Sequence, residues 1–320
     1  MLVFSGTDLI IRNNRDLDTV LTIPERPSFG QHIKLISRFY RRYDIAVSLL
    51  PGDRPVLYSW LFGLRSYGPV VSGVKHLWKR ILLSKSCGFD GHHRHTLTMY
   101  HEVVIDLVGD HIPGPSAPNE KVLASHLLDK LRQCNAEGNY AIIHLTPKFR
   151  YKEWPSDKWC ALIDRLLASE SGVVITGLDE GKRFSDVMKR YDSDDRVVNL
   201  VDQLSIEELV FVLKQGRRFF GTDTAVTHLA AALGISTVAI FGPSSPVVWG
   251  PWPSGYSGKI TPWRQRGTQR VGNVTIVQGS GDCVPCLEEG CFKHISSESD
   301  CLKNLAVIDV VKPKTTRTIN

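Results

Sequence analysis

The residues best suited to chemistry lie between Phe219 and Gly234, where an apolar run leads into Asp223 and Thr224 and a helical pattern begins at once. Backbone N–H groups at a helix start have no partner within the helix, and the helix dipole adds positive potential there, so such a turn suits an anion. His228 follows about one helical turn later, within reach of a phosphate or a sugar hydroxyl. The pattern therefore predicts contact with a phosphorylated ligand. The alternative is a packed helix with a structural histidine.

Four cysteines near the C-terminus offer a different chemistry. Cys283 and Cys286 have the Cys-x-x-Cys spacing of zinc sites, and Cys291 and Cys301 follow at irregular gaps. Two hypotheses remain open. Either the four sulfurs hold a structural zinc ion, or they are reduced thiols in a loop whose shape another molecule recognises. Zinc ligands are usually more tightly spaced, which favours the thiols and predicts no bound metal.

Strand and helix patterns alternate regularly through the second half of the chain and would position these residues. Strand patterns cover 140–145, 172–176, 197–200, 218–221 and 237–241, and the helical patterns between them begin near 155, 179, 205 and 225. Ser205 and Glu208 form a capping box at the third of these helices. Strands separated by helices of this length predict a parallel, doubly wound sheet, whose carboxyl edge binds ligands.

The first half repeats the alternation less clearly, with strands at 19–23 and 46–50 around a helix at 31–41, and is interpreted as a second Rossmann-like unit. The Pro- and Gly-rich segment 110–119 disfavours both helix and strand, so it is the predicted linker. We therefore predict an α/β chain of two Rossmann-like, doubly wound domains facing a cleft. Their predicted bounds are 1–118 and 119–320, the second carrying the Cys-rich loop 283–301.

Composition limits the class of protein. The 320 residues carry a net charge of +6, with 42% hydrophobic and 22% charged residues, as in ordinary globular enzymes. The positive charge suits phosphorylated substrates or an anionic membrane surface, and it is too scattered to predict nucleic-acid binding. No apolar run approaches the roughly 20 residues that span a bilayer, and residues 1–16 do not have the pattern of a signal peptide. Any membrane contact is expected to be peripheral.

The stretch from Asp223 to Gly234 resembles the Asp-(Thr/Ser)-Gly-x-x-His-Leu-Ala-Ala-Ala-Leu-Gly signature of glycosyltransferase family 9. Members of that family have the GT-B fold and transfer heptose from ADP-heptose to the lipopolysaccharide inner core. The resemblance implies contacts from four residues to the donor diphosphate and sugar: Asp223, Thr224, Ala225 and His228. Ala225 stands where the family usually has glycine, so its methyl group either crowds the pyrophosphate or only replaces a permissive residue.

Other segments extend the resemblance along most of the chain. His144-Leu145-Thr146 and the later Lys152-Glu153-Trp154-Pro155 are similar to the family segments whose Thr and Lys contact phosphate, so Thr146 and Lys152 take those roles. The loop 176–180 resembles the one whose glutamate binds the nucleoside, which makes Glu180 a candidate. Three segments look most like the heptosyltransferase III branch of the family: 43–44, 52–54 and the block 283–301.

The resemblance implies an inverting transfer without a cofactor, in which an acceptor hydroxyl attacks ADP-heptose and ADP leaves. The acceptor would be a lipid-linked core oligosaccharide, bound by domain 1–118. The protein would meet it at the cytoplasmic face of the anionic inner membrane. Asp53, just past a predicted strand, is the acceptor-side candidate, and a turn-capping aspartate is the alternative. Another nucleotide sugar as donor, or a catalytically silent module that binds nucleotide or zinc, remains the alternative function.

The N-terminus departs from the family pattern. Family members begin with a strand and a Gly-Asp loop whose aspartate accepts the proton, whereas Met1-Leu2-Val3 here resembles the second strand and Arg15 to Val20 the segment after it. About 30 to 40 residues, one strand-loop-helix unit, would be missing by that match. The Gly6-Thr7-Asp8 triplet is a poor substitute, because nothing is expected to hold Asp8 at the cleft. The expectation is a truncated first domain without its catalytic aspartate, which binds donor but transfers sugar poorly.

Overall fold

The computed structural model describes residues 1–134, 140–169, 172–315 and 318–319. The chain divides into two compact units. Unit 1 comprises Met1–Asp8, Val20–Pro113 and Ser257–Thr261, and unit 2 comprises Leu9–Thr19, Gly114–Tyr256 and Pro262–Asn320. No helix among the described residues is both long enough and apolar enough to cross a bilayer.

Unit 1 contains short parallel strands with helices between them. In chain order its elements are β1 (Leu2–Phe4), β2 (Leu21–Ile23), α1 (Phe29–Phe39), β3 (Tyr43–Val47), α2 (Asp53–Phe62), β4 (Gly63–Val70), α3 (Leu77–Leu82), β5 (Lys85–Gly88) and α4 (Thr96–Val108). Strands β1 and β2 form one parallel pair, and β3, β4 and β5 form a separate parallel sheet in that order. The strands of the predicted Rossmann-like unit are thus divided between two sheets.

Two boundaries in unit 1 differ from the sequence prediction for local reasons. Helix α1 begins two residues before the predicted start, because Ser28 accepts the N–H of Gln31 while the Gln31 side chain accepts the N–H of Ser28. Strand β3 ends at Val47, although the prediction placed a strand at 46–50. Ser48 donates its hydroxyl to the carbonyl of Leu50 at 2.6 Å, and such a side-chain bond to the local backbone stabilises a turn instead.

Unit 2 is built around a larger sheet. Its elements are α5 (Ser125–Cys134), β6 (Tyr140–His144), α6 (Ser156–Leu167), β7 (Gly172–Thr176), α7 (Ser185–Arg190), β8 (Val197–Asn199), α8 (Ile206–Gln215), β9 (Arg218–Thr222), α9 (Ala225–Ala232), β10 (Ser236–Phe241), α10 (Pro246–Trp249), β11 (Gln269–Val271), β12 (Val274–Gln278), α11 (Asp300–Lys303), α12 (Val307–Val311) and β13 (Thr318–Ile319). The strand order is β13-β11-β12-β10-β9-β6-β7-β8, parallel except between β11 and β12. The predicted doubly wound parallel sheet is confirmed in this unit.

The sheet of unit 2 is buried on both faces, as a parallel sheet covered by helices requires. Alternate residues of β6 show this, because Ala141 and Ile143 belong to one hydrophobic core and Tyr140 and Ile142 to another. The side chains on a strand alternate between faces, so each core lies on its own side. Because both faces are buried, successive residues of these strands are apolar, which explains the unbroken apolar runs in the sequence of unit 2.

The helix predicted from residue 179 begins only at Ser185. Asp179 is buried, and its two carboxylate oxygens accept the backbone N–H groups of Arg183 and Phe184 at 2.9 and 3.0 Å. These bonds hold 179–184 in a loop, because an aspartate that binds nearby N–H groups competes with the helix. The loop lies directly after β7, at the carboxyl edge of the sheet.

Candidate functional site

The turn between β9 and α9 forms the centre of the site. Gly221 is needed there, since a Cβ at this position would lie 2.8 Å from the Phe219 ring and 2.9 Å from Oγ1 of Thr227. Thr224 caps α9, its hydroxyl accepting the N–H of Thr227 at 3.3 Å. The N–H groups of the first helical residues of α9 therefore lie at the carboxyl end of β9, with the positive end of the helix dipole.

Three charged or titratable side chains meet at this turn. Asp223, only 7% exposed, has its Oδ2 atom 2.7 Å from Nζ of Lys152. Its Oδ1 atom lies 3.8 Å from Nε2 of His228, whose side chain is 37% exposed. Lys152 comes from a 3-10 turn, Arg150–Lys152, 71 residues away in sequence. The fold thus brings together three of the residues that the sequence singled out.

Electrostatics keep Asp223 ionised. Burial alone would raise the pKa of this carboxyl, but the His228 ring and the Lys152 ammonium outweigh burial and hold the pKa far below its usual range. These two neighbours therefore favour the ionised form of Asp223. It fixes Lys152 by a hydrogen-bonded ion pair and lies 3.8 Å from the His228 ring, while Lys152, at 23% side-chain exposure, keeps part of its surface available.

Thr146 and Ala225 lie at neighbouring strand ends, and Thr146 is the more constrained. Its hydroxyl accepts the N–H of Leu178 at 2.8 Å, which ties the loop after β6 to the loop after β7. A Cβ at Gly177 would lie 2.6 Å from the same hydroxyl, so the two loops can approach this closely only with glycine there. Ala225 is exposed as the first residue of α9.

Glu180 and Asp53 are not part of this cluster. Glu180 is exposed on the loop after β7, and no hydrogen bond to its carboxylate is found in the described ranges. Asp53 begins α2 in unit 1 and pairs with Nζ of Lys79 at 2.6 Å. Lys79 is 2% exposed and also donates to the carbonyl of Pro51 at 2.6 Å. Asp53 therefore has a structural partner, whereas no side chain caps the start of α2 at Gly52. Its acceptor-side role stays a prediction.

The Cys-rich loop 283–301 holds free thiols at all four of its cysteines. Burial, together with the neighbouring sulfurs of Cys286 and Cys291, raises the pKa of Cys301 to about 12. Within the described part of the chain, no three His, Cys, Asp or Glu side chains are arranged to hold a metal ion. The zinc hypothesis therefore gains no support from the geometry.

The same loop supports the turn that carries Lys152. Ser299 donates its hydroxyl to the carbonyl of Tyr151 at 2.7 Å, and Arg150 pairs with Glu298 at 2.6 Å. Sequence analysis missed both Ser299 and Tyr151. Their contact spans 148 residues, and no local pattern could have indicated it. His144, at the end of β6, was also given no role; it is buried, and its Nδ1 lies 3.1 Å from the hydroxyl of Thr176.

Comparison with known proteins gives a consistent result. A family model described as glycosyltransferase family 9 (heptosyltransferase) matches residues 81–266. Lipopolysaccharide heptosyltransferase 3 of Escherichia coli is 28% identical over 117 residues, 36% of this chain and 34% of that protein. Lipopolysaccharide heptosyltransferase 1 of Escherichia coli K12 is 28% identical over 133 residues, 41% of this chain and 40% of that protein. The matches thus span well under half of these curated relatives.

A solved structure extends the similarity to the fold. The E. coli ADP-heptose lps heptosyltransferase II matches with a TM-score of 0.65 and 16% sequence identity, over 97% of this chain and 86% of that chain. At this identity the match shows a shared fold, which is the predicted GT-B fold.

Proposed function

This chain belongs to glycosyltransferase family 9, and from that premise we propose that it transfers heptose from ADP-heptose to the lipopolysaccharide inner core. The observation that carries the proposal is the buried Asp223 carboxylate, which pairs with Lys152 and lies 3.8 Å from the His228 ring at the start of α9. A cation, an imidazole and a helix start at one strand end form a site for a diphosphate. The branch we favour is heptosyltransferase III.

The residues of unit 2 divide the work of donor binding. Lys152 pairs with the diphosphate, and Thr224 and the first N–H groups of α9 donate to its oxygens. Asp223 is itself negative, so it would repel a phosphate in direct contact; its role is to orient Lys152 and His228. Thr146 holds the neighbouring loop, whose Glu180 contacts the nucleoside. The Ala225 methyl group narrows the approach to the helix start, where the family usually has glycine.

The proposed reaction is an inverting displacement. A hydroxyl oxygen of the acceptor bonds to the anomeric carbon, the bond from that carbon to the diphosphate oxygen breaks, and ADP leaves with the electron pair. The hydroxyl proton passes to a general base, a role to which no residue of this chain is assigned. Negative charge develops on the leaving diphosphate, so Lys152, His228 and the α9 N–H groups stabilise the transition state more than the ground state. These residues supply the stabilisation without a cofactor.

The acceptor would be a lipid-linked core oligosaccharide, so we place the reaction at the cytoplasmic face of the inner membrane. The net charge of +6 favours peripheral contact with anionic lipid. Free thiols at the described cysteines are in keeping with a reducing compartment. The acceptor side is assigned to the first domain, residues 1–118, and the donor side to residues 119–320.

Calorimetry with ADP, ADP-heptose, UDP and GDP tests the donor. Adenosine diphosphates should bind at least about tenfold more tightly than UDP or GDP, as expected when pocket contacts distinguish bases. Tighter binding of UDP or GDP would indicate a GT-B enzyme for another nucleotide sugar. Absence of nucleotide binding together with stoichiometric zinc would replace the proposal by a silent metal-binding module. ADP release with a core oligosaccharide acceptor then tests transfer.

A further inference from the structure

Helix α3 and the 3-10 turn directly before it, Val74–His76, expose a row of aliphatic side chains. Val74, Leu77 and Ile81 are 84%, 49% and 82% exposed. Side chains three apart in a 3-10 turn, or four apart in an α-helix, lie on the same face. These three residues, here called the apolar stripe, therefore form one face of unit 1, whereas the donor site belongs to unit 2.

Helix α3 has the reverse orientation of an ordinary surface helix. Its Lys79 is buried and donates to the carbonyl of Pro51, while Ile81, two residues later, is exposed. Surface helices normally turn their apolar face to the core and their charged residues to water. Single exposed apolar residues are common in proteins, but a contiguous apolar face marks a surface that binds a partner or a membrane.

The charges beside the apolar stripe are positive. Lys75 and Arg80 are exposed within the same two turns, and the sequence from 54 to 89 contains no aspartate or glutamate. The acidic residue that contacts α3 is Asp53, which is paired with the buried Lys79. Exposed cations next to exposed aliphatic side chains are the combination that binds the surface of an anionic bilayer.

We propose that the apolar stripe, with Lys75 and Arg80, docks on an anionic lipid bilayer. The aliphatic side chains enter the boundary between headgroups and acyl chains, and the two cations remain at the level of the lipid phosphates. A second copy of the chain fits less well, because a twofold interface would bring each cation towards its own counterpart. The inference rests on the proposed function, since a lipid-linked acceptor places the reaction at a membrane, and it names the surface that makes the contact.

A variant that keeps the net charge tests the apolar stripe. Val74→Gln combined with Ile81→Gln leaves the charge at +6 and changes only exposed side chains, so the fold should be retained. Binding of the full chain to vesicles of phosphatidylglycerol and phosphatidylcholine, measured by sedimentation at one salt concentration, should weaken about tenfold through loss of buried aliphatic surface. Ile260→Gln is the matched control, since Ile260 is exposed in unit 1 outside the stripe, and it should bind like wild type.

A second pair of variants tests the cations. Lys75→Gln combined with Arg80→Gln should weaken binding to the same vesicles at least about tenfold, because each basic residue near the surface contributes to the attraction. Lys130→Gln combined with Lys312→Gln removes the same charge from exposed positions in unit 2 and should weaken binding less than about threefold. Equal losses in the two double variants would mean that net charge alone governs binding, and would refute the assignment of these cations.

Two further results would overturn the proposal. One is vesicle binding as tight as wild type in the variant of Val74 and Ile81, which would leave any peripheral contact to another surface. The other is a dimer, seen by sedimentation velocity without lipid, that the same variant abolishes, because the stripe would then bind a second copy. ADP affinity of the variants should equal that of wild type. Failure of the wild-type chain to bind ADP would count against the proposed function and would leave the docking result unchanged.

Discussion

The ammonium of Lys152 lies 2.7 Å from Oδ2 of Asp223, and this contact joins a turn after β6 to the start of α9. The two residues lie 71 positions apart in the sequence and belong to different elements, so only the folded chain brings them together. The carboxylate is buried and ionised, so it needs a nearby cation. This ion pair therefore stabilises the local fold and holds the Lys152 ammonium at the proposed diphosphate site.

Lys152→Met should destabilise the protein and weaken ADP binding. The substitution leaves the Asp223 carboxylate buried without its cation, which should cost about 3 kcal/mol of unfolding free energy, at the low end for a buried pair because the Lys152 side chain is 23% exposed. ADP affinity should fall at least about tenfold through loss of a charge-assisted contact. Urea unfolding and calorimetry measure the two effects. Adding Asp223→Asn should recover stability but not affinity, because the neutral amide no longer needs a cation.

Lys148→Met is the matched control, since Lys148 is an exposed lysine of the same loop. It removes the same net charge and should change both quantities little. Equal losses of ADP affinity in the two variants would mean that general electrostatics, and not this ion pair, governs binding.

The strongest sequence signals were local, and the structure shows why they sufficed. The capping box of Ser205 and Glu208 is present at α8, and strand β7 covers the predicted residues 172–176. Both depend on contacts within a few residues or on continuous burial. The proximity of Asp223 and His228 was likewise predictable, because they lie five positions apart on either side of the start of one helix.

What the sequence did not predict depends on contacts distant in the chain or on side-chain competition. Asp179 delays α7 because its carboxylate accepts two N–H groups of the expected first turn. Ser48 similarly ends β3 early. The support of Tyr151 by Ser299 joins segments 148 residues apart, and only the folded chain reveals it.

His144 should make stability fall in mildly acidic solution. Burial lowers the pKa of its ring from 6.5 to about 4, so the folded protein favours the neutral form. The stability is fully present above the unfolded pKa and is lost as the pH falls from about 6.5 towards 4, because the unfolded chain then binds the proton more readily. The pKa of Asp223 is lowered from its usual 3.8, so protonation of this carboxylate changes the stability only below about that pH. Asp223 therefore does not contribute to the loss of stability between pH 6.5 and 4.

Urea unfolding at pH 7 and pH 5 measures this effect. The His144 contribution should decrease by about 2 kcal/mol between the two values. His144→Gln should remove that part of the pH dependence, whereas His126→Gln, at an exposed site, should retain it. The same pH dependence in His144→Gln as in wild type would show that another group is responsible.

Association with anionic vesicles should be reversible by salt. The net charge of +6 attracts the chain to anionic lipid, and ions screen exposed charges over about 8 Å at physiological strength. Sedimentation with vesicles of phosphatidylglycerol and phosphatidylcholine, at low and high salt, measures the bound fraction. Binding to pure phosphatidylcholine, or binding that salt does not reduce, would contradict an electrostatic contact.

Ser299 should act on ADP binding through Lys152. Its hydroxyl donates to the carbonyl of Tyr151 at 2.7 Å, next to the residue that carries the ammonium. Ser299→Ala removes this bond, which should cost about 1 kcal/mol of stability and let the turn sample other positions. ADP affinity should then fall about three- to tenfold, although no group that contacts the ligand has changed.

A double-mutant cycle separates this positioning role from a general loss of stability. In a Lys152→Met background, Ser299→Ala should weaken ADP binding no further, because the side chain that it positions is already absent. Ser299→Thr, which keeps the hydroxyl, should restore most of the affinity. Ser296→Ala is the control, since Ser296 lies in the same loop and contacts only the exposed His294 ring in the described structure. Additive losses from Ser299→Ala and Lys152→Met would show that the loop acts on ADP by a route other than Lys152.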